Sequence, residues 1–271
     1  MPEKAERLRA LHKGPRILVL PNAWDAASAR VFEAEGFSAI ATTSAGVAAS
    51  LGYPDGGIVP THEMIEAIAR IVRAVKIPVT ADIEHAYATA PSDVADVVLR
   101  VIAAGAVGIN LEDCMPGGHE LEPMTLQTEK ISAIAKASAK AGVRVVINAR
   151  TDVFLRAMGP PESRLAVAID RGKAFLAAGA DCVFVPGVHE RDTIAALVQG
   201  IAGPINILAV KGTPPISELA ALGVARVSVG SGPMRAALAL VREIAHELKT
   251  AGTYGFAERA WSYDEVNELM R

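Results

Sequence analysis

The segment PVTADIEHAY, residues 78–87, is an apolar run that ends abruptly at Asp82 and Glu84. In an extended strand, residues i and i+2 lie on the same side, so we expect the two carboxylates to lie close together at the strand end. Carboxylates that close repel each other unless they share a cation, and their oxygen atoms suit Mg²⁺. The segment therefore predicts a strand that leads into a metal site. A solvated loop with a helix-capping acid is the alternative interpretation.

A similar unit recurs along the chain: a helical run ends at a glycine, a short β-branched run follows, and a polar tip closes the unit. The spacing is 37 residues from Gly105 to Gly142 and again from Gly142 to Gly179. A glycine just past a helix provides the left-handed turn that lets the chain enter the next strand. The repeat is therefore one βα unit.

About eight such units fit into the 271 residues. Their strands are nearly continuous apolar runs, which is typical of a parallel sheet buried on both faces. We therefore predict an α/β fold, a (β/α)₈ barrel of the TIM type over residues 1–249, with a C-terminal helical segment over 250–271. An open doubly wound sheet is less consistent, because no G-x-G-x-x-G follows the first strand. The predicted strands are 17–20, 38–42, 78–82, 107–111, 145–149, 182–185, 205–209 and 226–229, and the helices lie near 24–35, 61–75, 91–104, 127–141, 162–178, 190–200, 215–222 and 232–249.

Composition points to a small-molecule partner. The formal net charge is −3 and Lys and Arg are dispersed, so no nucleic-acid or membrane surface is indicated. The N-terminal segment lacks the apolar core of a signal peptide, and no stretch is apolar for long enough to cross a membrane, so we expect a cytoplasmic protein. Cys114 and Cys182 are expected to be reduced thiols.

In a parallel barrel the carboxyl ends of the strands meet at one mouth, where active sites are built. Glu112, after the fourth strand, can join the metal shell directly or through water, and Arg150, after the fifth, offers a planar fork for a carboxylate. A small-residue loop formed by Thr43, Ser44, Ala45 and Gly46 can bring backbone N–H groups close to an anion. Arg150 could instead be a structural partner of Asp152 or Glu112.

These motifs resemble the isocitrate lyase and phosphoenolpyruvate mutase superfamily, over about residues 15–245. The resemblance rests on TSAGVAASLGYPD (43–55), TADIEHAY (80–87), INLED (109–113) and INARTD (147–152). It implies a (β/α)₈ barrel, Mg²⁺ with Mn²⁺ as a substitute, and 2-oxo acid substrates cleaved through an enolate. It also implies a homodimer or homotetramer whose C-terminal helices are exchanged between subunits.

By position, the resemblance implies that Asp82, Glu84 and Glu112 form the metal shell. It likewise implies that the 43–46 loop and Arg150 bind substrate and that Asp55 lies near the reacting centre. We also assign Asn206, on the seventh predicted strand, to substrate binding. The predicted catalytic residues are Asp55, Glu112, His119 and Arg150.

The segment EDCMPGGHEL, residues 112–121, departs from the superfamily pattern. Isocitrate and methylisocitrate lyases carry K-[KR]-C-G-H there, and the phosphonopyruvate-forming mutases carry a lysine and an asparagine. This chain lacks the lyase cysteine in that position and the mutase lysine. The sequence therefore favours a Mg²⁺-dependent lyase or decarboxylase of a small, oxaloacetate-like 2-oxo acid. Asp55 or His119 would deliver the proton. A phosphonopyruvate mutase or hydrolase, and a non-catalytic 2-oxo acid binder, are the alternatives.

Overall fold

The computed structural model describes residues 1–115, 117–118 and 120–271 and confirms the predicted barrel. Nine parallel strands form one sheet in the order β1-β9-β8-β7-β6-β5-β4-β3-β2, surrounded by helices. The strands are β1 (Leu18–Leu20), β2 (Asn22–Ala23), β3 (Ile40–Thr42), β4 (Val79–Asp82), β5 (Gly108–Glu112), β6 (Val146–Arg150), β7 (Cys182–Phe184), β8 (Ile205–Leu208) and β9 (Arg226–Ser228).

The ninth strand is β2, which lies outside the predicted strands: the predicted strand 17–20 corresponds to β1, and Pro21 separates β1 from β2. Leu18–Leu20 pairs with β9, whereas Asn22–Ala23 pairs with β3. Proline has no N–H to donate, so a strand can change neighbours there without losing a hydrogen bond. The two ends of the sheet therefore meet at this proline, and the barrel is nearly closed.

Helices surround the sheet and follow most of the predicted helical segments. Two of them were not predicted: α1, before the first strand, and α3, which contains residues expected to form a loop. The helices are α1 (Pro2–Leu11), α2 (Ala26–Ala34), α3 (Ser44–Leu51), α4 (Thr61–Ala74), α5 (Pro91–Ala103), α6 (Met124–Lys140), α7 (Arg164–Ala177), α8 (Arg191–Ile201), α9 (Ile216–Ala221), α10 (Gly232–Thr250) and α11 (Tyr263–Met270), with 3₁₀ turns at Pro161–Ser163 and Gly255–Arg259.

Helix α1 packs against the amino ends of the strands. Leu8 is fully buried, and a Cβ added to Gly108 would lie 2.8 Å from Leu8 Cδ2. Arg9 donates to Asp181 Oδ1 at 2.8 Å and to the carbonyl of Arg144 at 2.8 Å. The glycine on β5 thus makes room for Leu8, and α1 covers this end of the barrel.

The segment after α10 folds back onto the same chain. Arg30 Nε, on α2, donates to the carbonyl of Leu269 on α11 at 2.6 Å, while Trp261 remains 54% exposed. Within the described residues, no helix is both long and apolar enough to cross a membrane.

We expect Leu8→Ala to lower the free energy of unfolding by about 2–5 kcal/mol, because it leaves a cavity under the barrel. Urea unfolding followed by circular dichroism measures the change. Arg7→Ala, on the exposed side of the same helix, is the control and should change stability by less than about 0.5 kcal/mol. Equal effects of the two substitutions would show that α1 does not close the barrel.

Candidate active site

A cavity of about 220 Å³ opens at the carboxyl ends of the strands. Its polar lining includes Asp55, Asp82 and Arg150, which come from three different parts of the chain, and residues on β9 line the opposite side. Leu155, Phe184 and Pro186 add an apolar wall. The cavity therefore combines acidic, basic and apolar surfaces at the end of the barrel where parallel barrels carry their active sites.

Asp82, the last residue of β4, is held in place by three hydrogen bonds. Its Oδ2 accepts from the backbone N and from Oγ of Ser44, both at 2.9 Å. Its Oδ1 accepts from Nδ2 of Asn110 at 2.8 Å, and Asn110 in turn accepts from Asn148. Charge-assisted bonds of this kind stabilise the ionised carboxylate and fix its direction.

The segment expected to form a small-residue loop begins a helix instead. Thr43 is the N-cap of α3, and Ser44 is its first residue. The Ser44 N–H already binds Asp82, so Ala45 offers the next free N–H beside the cavity. Gly46 does not line the cavity. A Cβ there would lie 2.8 Å from Trp24 Cβ, so this glycine allows close packing rather than approach of an anion.

Glu84 lies beside the cavity rather than on its lining, and strand alternation does not determine its position. Strand β4 ends at Asp82, and Glu84 has a left-handed backbone with φ +53°. Its buried carboxylate accepts a hydrogen bond from Tyr87 Oη at 3.2 Å. Burial, followed by the nearby charges of Asp82 and Asp55, raises the pKa of Glu84 to about 7. The pKa of Asp55 is also raised, by burial of its carboxyl group and by Asp82.

The guanidinium of Arg150 binds the carboxylates of two acidic residues. Its Nε and Nη2 donate to the carboxylate of Asp152 at 2.6 and 2.8 Å, and Nη1 lies 2.7 Å from Glu112 Oε2. Three of the five guanidinium N–H groups are thus used, and two remain for a ligand. Burial raises the pKa of Glu112, and the charge of Arg150 opposes that rise. The fork predicted for a substrate carboxylate is therefore filled by Asp152.

Other predicted residues lie apart from the cavity. Asn206 is buried on β8, and its Nδ2 donates to Ser228 Oγ at 3.1 Å, below the lining. His119 lies outside the described residues. Sequence reasoning missed Asn110 and Arg226, both of which line the cavity. Each is a polar residue within an otherwise apolar strand, and that pattern in the sequence could have identified both as candidate site residues.

The donor set fits a hard cation bound partly through water. In the described part of the chain, no three Asp, Glu, His or Cys residues are arranged to hold a metal ion together. Of the three predicted metal residues, Asp82 lines the cavity, whereas Glu112 Oε2 lies 2.7 Å from Arg150 Nη1 and Glu84 accepts a hydrogen bond from Tyr87. Asp82 nevertheless faces the cavity, and it lies near enough to Glu84 and Asp55 that its charge raises the pKa of both groups, after the larger effect of burial. Mg²⁺ commonly binds through one or two carboxylates and several waters.

The barrel and this site define an enzyme class, and similarity to known proteins identifies the family. The phosphoenolpyruvate phosphomutase family model matches residues 8–249, so the chain belongs to that family. It is an enzyme of the isocitrate lyase and phosphoenolpyruvate mutase superfamily, as the four motifs indicated.

Its relatives are lyases and related enzymes. An oxaloacetate decarboxylase of Bradyrhizobium sp. is 30% identical, covering 91% of this chain and 85% of the relative. A 2,3-dimethylmalate lyase of Eubacterium barkeri is 30% identical over 98% of this chain and 93% of the relative. A solved phosphonopyruvate hydrolase in complex with oxalate and Mg²⁺ has a TM-score of 0.87 and 28% identity, covering 98% of this chain and 94% of its own.

The raised pKa of Glu84 predicts a pH dependence of stability. Between its usual value of 4.5 and about 7, the folded state retains a proton that the unfolded state releases, so stability falls as pH rises through this window. We expect Glu84→Gln to remove that loss and to be more stable than the wild type at pH 8, without metal, by on the order of 1–3 kcal/mol. Urea unfolding in chelator at pH 4.5 and 8 measures the difference.

The exposed Glu66→Gln is the control and should follow the wild type at both pH values. Adding Mg²⁺ at pH 8 should stabilise the wild type more than Glu84→Gln. Parallel pH profiles of the wild type and Glu84→Gln would contradict the assigned burial and charge of Glu84.

Proposed function

We propose that this protein cleaves a C–C bond of a small 2-oxo acid, with oxaloacetate as the first substrate to test, in the presence of Mg²⁺. The observation that carries the proposal is the placement of Asp82, fixed by hydrogen bonds, and of the Arg150 guanidinium in one small cavity with an apolar wall. The similarity to an oxaloacetate decarboxylase over 91% of the chain supports the choice of substrate.

The chain's own groups would bind and orient the substrate. The two remaining N–H groups of Arg150 and the N–H of Ala45 would contact substrate oxygens. Asp82 would hold the cation, with Glu84 and Glu112 acting on it through water. A Mg²⁺ ion at Asp82 would supply Lewis-acid stabilisation of the negative charge that develops on the 2-oxo oxygen.

In decarboxylation, the bond between C3 and the C4 carboxylate breaks and CO₂ leaves. The electron pair of that bond forms the C2–C3 double bond of an enolate, and the negative charge moves to the 2-oxo oxygen. A proton is then added to C3, and the products are pyruvate and CO₂. Asp55, at the rim of the cavity, has a raised pKa and is the described residue best suited to deliver that proton. The apolar wall formed by Leu155, Phe184 and Pro186 favours loss of a charged carboxylate as neutral CO₂.

We expect Mg²⁺-dependent release of pyruvate from oxaloacetate, and a fall in kcat/KM of about a hundredfold or more in Asp82→Asn, because the variant loses a charge at the centre of the site. A coupled pyruvate assay with Mg²⁺ or chelator measures both effects. Asp93→Asn, exposed on α5, is the matched control and should retain full activity.

Phosphate release from phosphonopyruvate under the same conditions would support the alternative phosphonate chemistry. Metal-dependent binding of oxalate, without turnover of any 2-oxo or phosphono acid, would support a non-catalytic binder. No metal-dependent turnover of any 2-oxo or 2-hydroxy diacid would refute the proposed lyase activity.

We also propose that α10 docks on a second copy of this chain. Leu238, Val241 and Leu248 are 54, 58 and 45% exposed, and together with Met234 and Ala245 they follow each other at spacings of four and three residues. An apolar stripe with this spacing is typical of a helix that packs against another helix. The superfamily resemblance implies the same arrangement.

The double substitution Leu238→Glu and Leu248→Glu should convert the assembly to monomers in light scattering, because it places two charges in the stripe. Leu240→Glu, about 120° around the same helix from the stripe and 44% exposed, is the control and should leave the assembly intact. A monomeric wild type would contradict the docking of α10.

A further inference from the structure

Arg226 lies at the floor of the cavity, inside the barrel. It begins β9, and its neighbour on the same face of the strand, Ser228, also lines the cavity. Arg226 is 2% exposed and is among the largest fully buried side chains. TIM barrel interiors are usually filled by branched apolar residues, so a guanidinium at this position requires an explanation.

Among the described residues, Arg226 has no hydrogen-bond partner or ion pair. Its Nε and Nη1 are buried and unpaired. The other two buried arginines are compensated, Arg9 by Asp181 and Arg171 by Asp113 at 2.6 Å, and the half-buried Arg150 is paired with Asp152 and Glu112. An unpaired buried cation costs several kcal/mol, so Arg226 should have an anionic partner that is not part of the described chain.

Asp82 is the acid whose charge acts on Arg226, but no ion pair joins the two residues in the described chain. The oxygens of Asp82 accept hydrogen bonds from Ser44 and Asn110 instead. Thr80 Oγ1, which lines the same cavity, is also a buried hydroxyl without a partner. The cavity floor therefore presents unpaired N–H and O–H donors together, as an anion-binding site does.

We propose that Arg226 binds the substrate carboxylate that is retained through the reaction. Its planar guanidinium would take the role predicted for Arg150, whose own guanidinium binds Asp152. This inference rests on the proposed function, and it orients the substrate. The retained carboxylate lies at the closed floor, the 2-oxo group lies beside Asp82, and the group to be cleaved lies toward the mouth. A cation at the floor also stabilises the carboxylate equally before and after bond cleavage.

The test is calorimetric binding of pyruvate, which carries only the retained carboxylate, to wild type, Arg226→Met and Arg226→Lys in Mg²⁺. We expect Arg226→Met to weaken binding by about tenfold to a hundredfold, the range for a charged hydrogen-bonded contact, and Arg226→Lys to restore part of the loss. Arg70→Met, the same substitution at an exposed arginine on α4, is the control. It should bind pyruvate as the wild type does.

Thermal unfolding without ligand separates a binding role from a structural one. Removing an unpaired buried charge should leave the melting temperature of Arg226→Met unchanged or higher. A lower melting temperature combined with unchanged pyruvate affinity would overturn the proposal, as would absence of pyruvate binding to the wild type.

The same titrations distinguish this inference from the proposed function. If pyruvate binding depends on Arg226 but no 2-oxo acid is turned over, the carboxylate site is supported and the proposed lyase activity is refuted. If turnover is found and Arg226→Met has wild-type KM and pyruvate affinity, the lyase stands and the Arg226 site is refuted.

Discussion

The carboxylate of Asp82 accepts hydrogen bonds from the start of α3 and from β5, and the mouth of the barrel depends on this arrangement. Ser44 contributes two of these bonds and Asn110 the third. The backbone N–H of Asp82 also donates to Thr42 Oγ1 at 2.8 Å. Hydrogen bonds to Asp82 thereby connect the ends of β3, β4 and β5. Preorganisation of this kind fixes charge where a reaction needs it without a cost at the moment of reaction.

A polar interior extends from Asp82 into the barrel. Asn148 donates to Asn110, which donates to Asp82, so two buried amides connect the centre of the barrel to the cavity. Arg226 completes this interior from β9. Buried polar groups cost free energy unless they are satisfied, so an interior of this composition is less stable at the position where we propose that a charged ligand binds. The apolar core lies mainly outside the sheet, between strands and helices, and supports the fold there.

The eight predicted strands, the barrel and the family followed from the sequence, because buried parallel strands and glycine-terminated helices leave strong local patterns. The placement of Glu84 did not follow, since strand β4 ends at Asp82 and the left-handed turn after it depends on tertiary contacts. The sequence did not decide whether Arg150 pairs with Asp152 or with a substrate. Two residues of opposite charge at this spacing in the sequence can either bind each other or bind a ligand. Helix α1 was missed because its amphipathic pattern is short and its burial depends on Gly108, a hundred residues away in the chain.

The central claim of this account is that Asp82 organises a cation and 2-oxo acid site at the mouth of the barrel. Titration of Mn²⁺ followed by electron paramagnetic resonance tests that claim directly, because it reports binding of the ion without requiring turnover. We expect one ion per chain in the wild type, a spectrum that changes when oxalate is added, and loss of binding in Asp82→Asn. Equal Mn²⁺ binding by the wild type and Asp82→Asn would contradict the account.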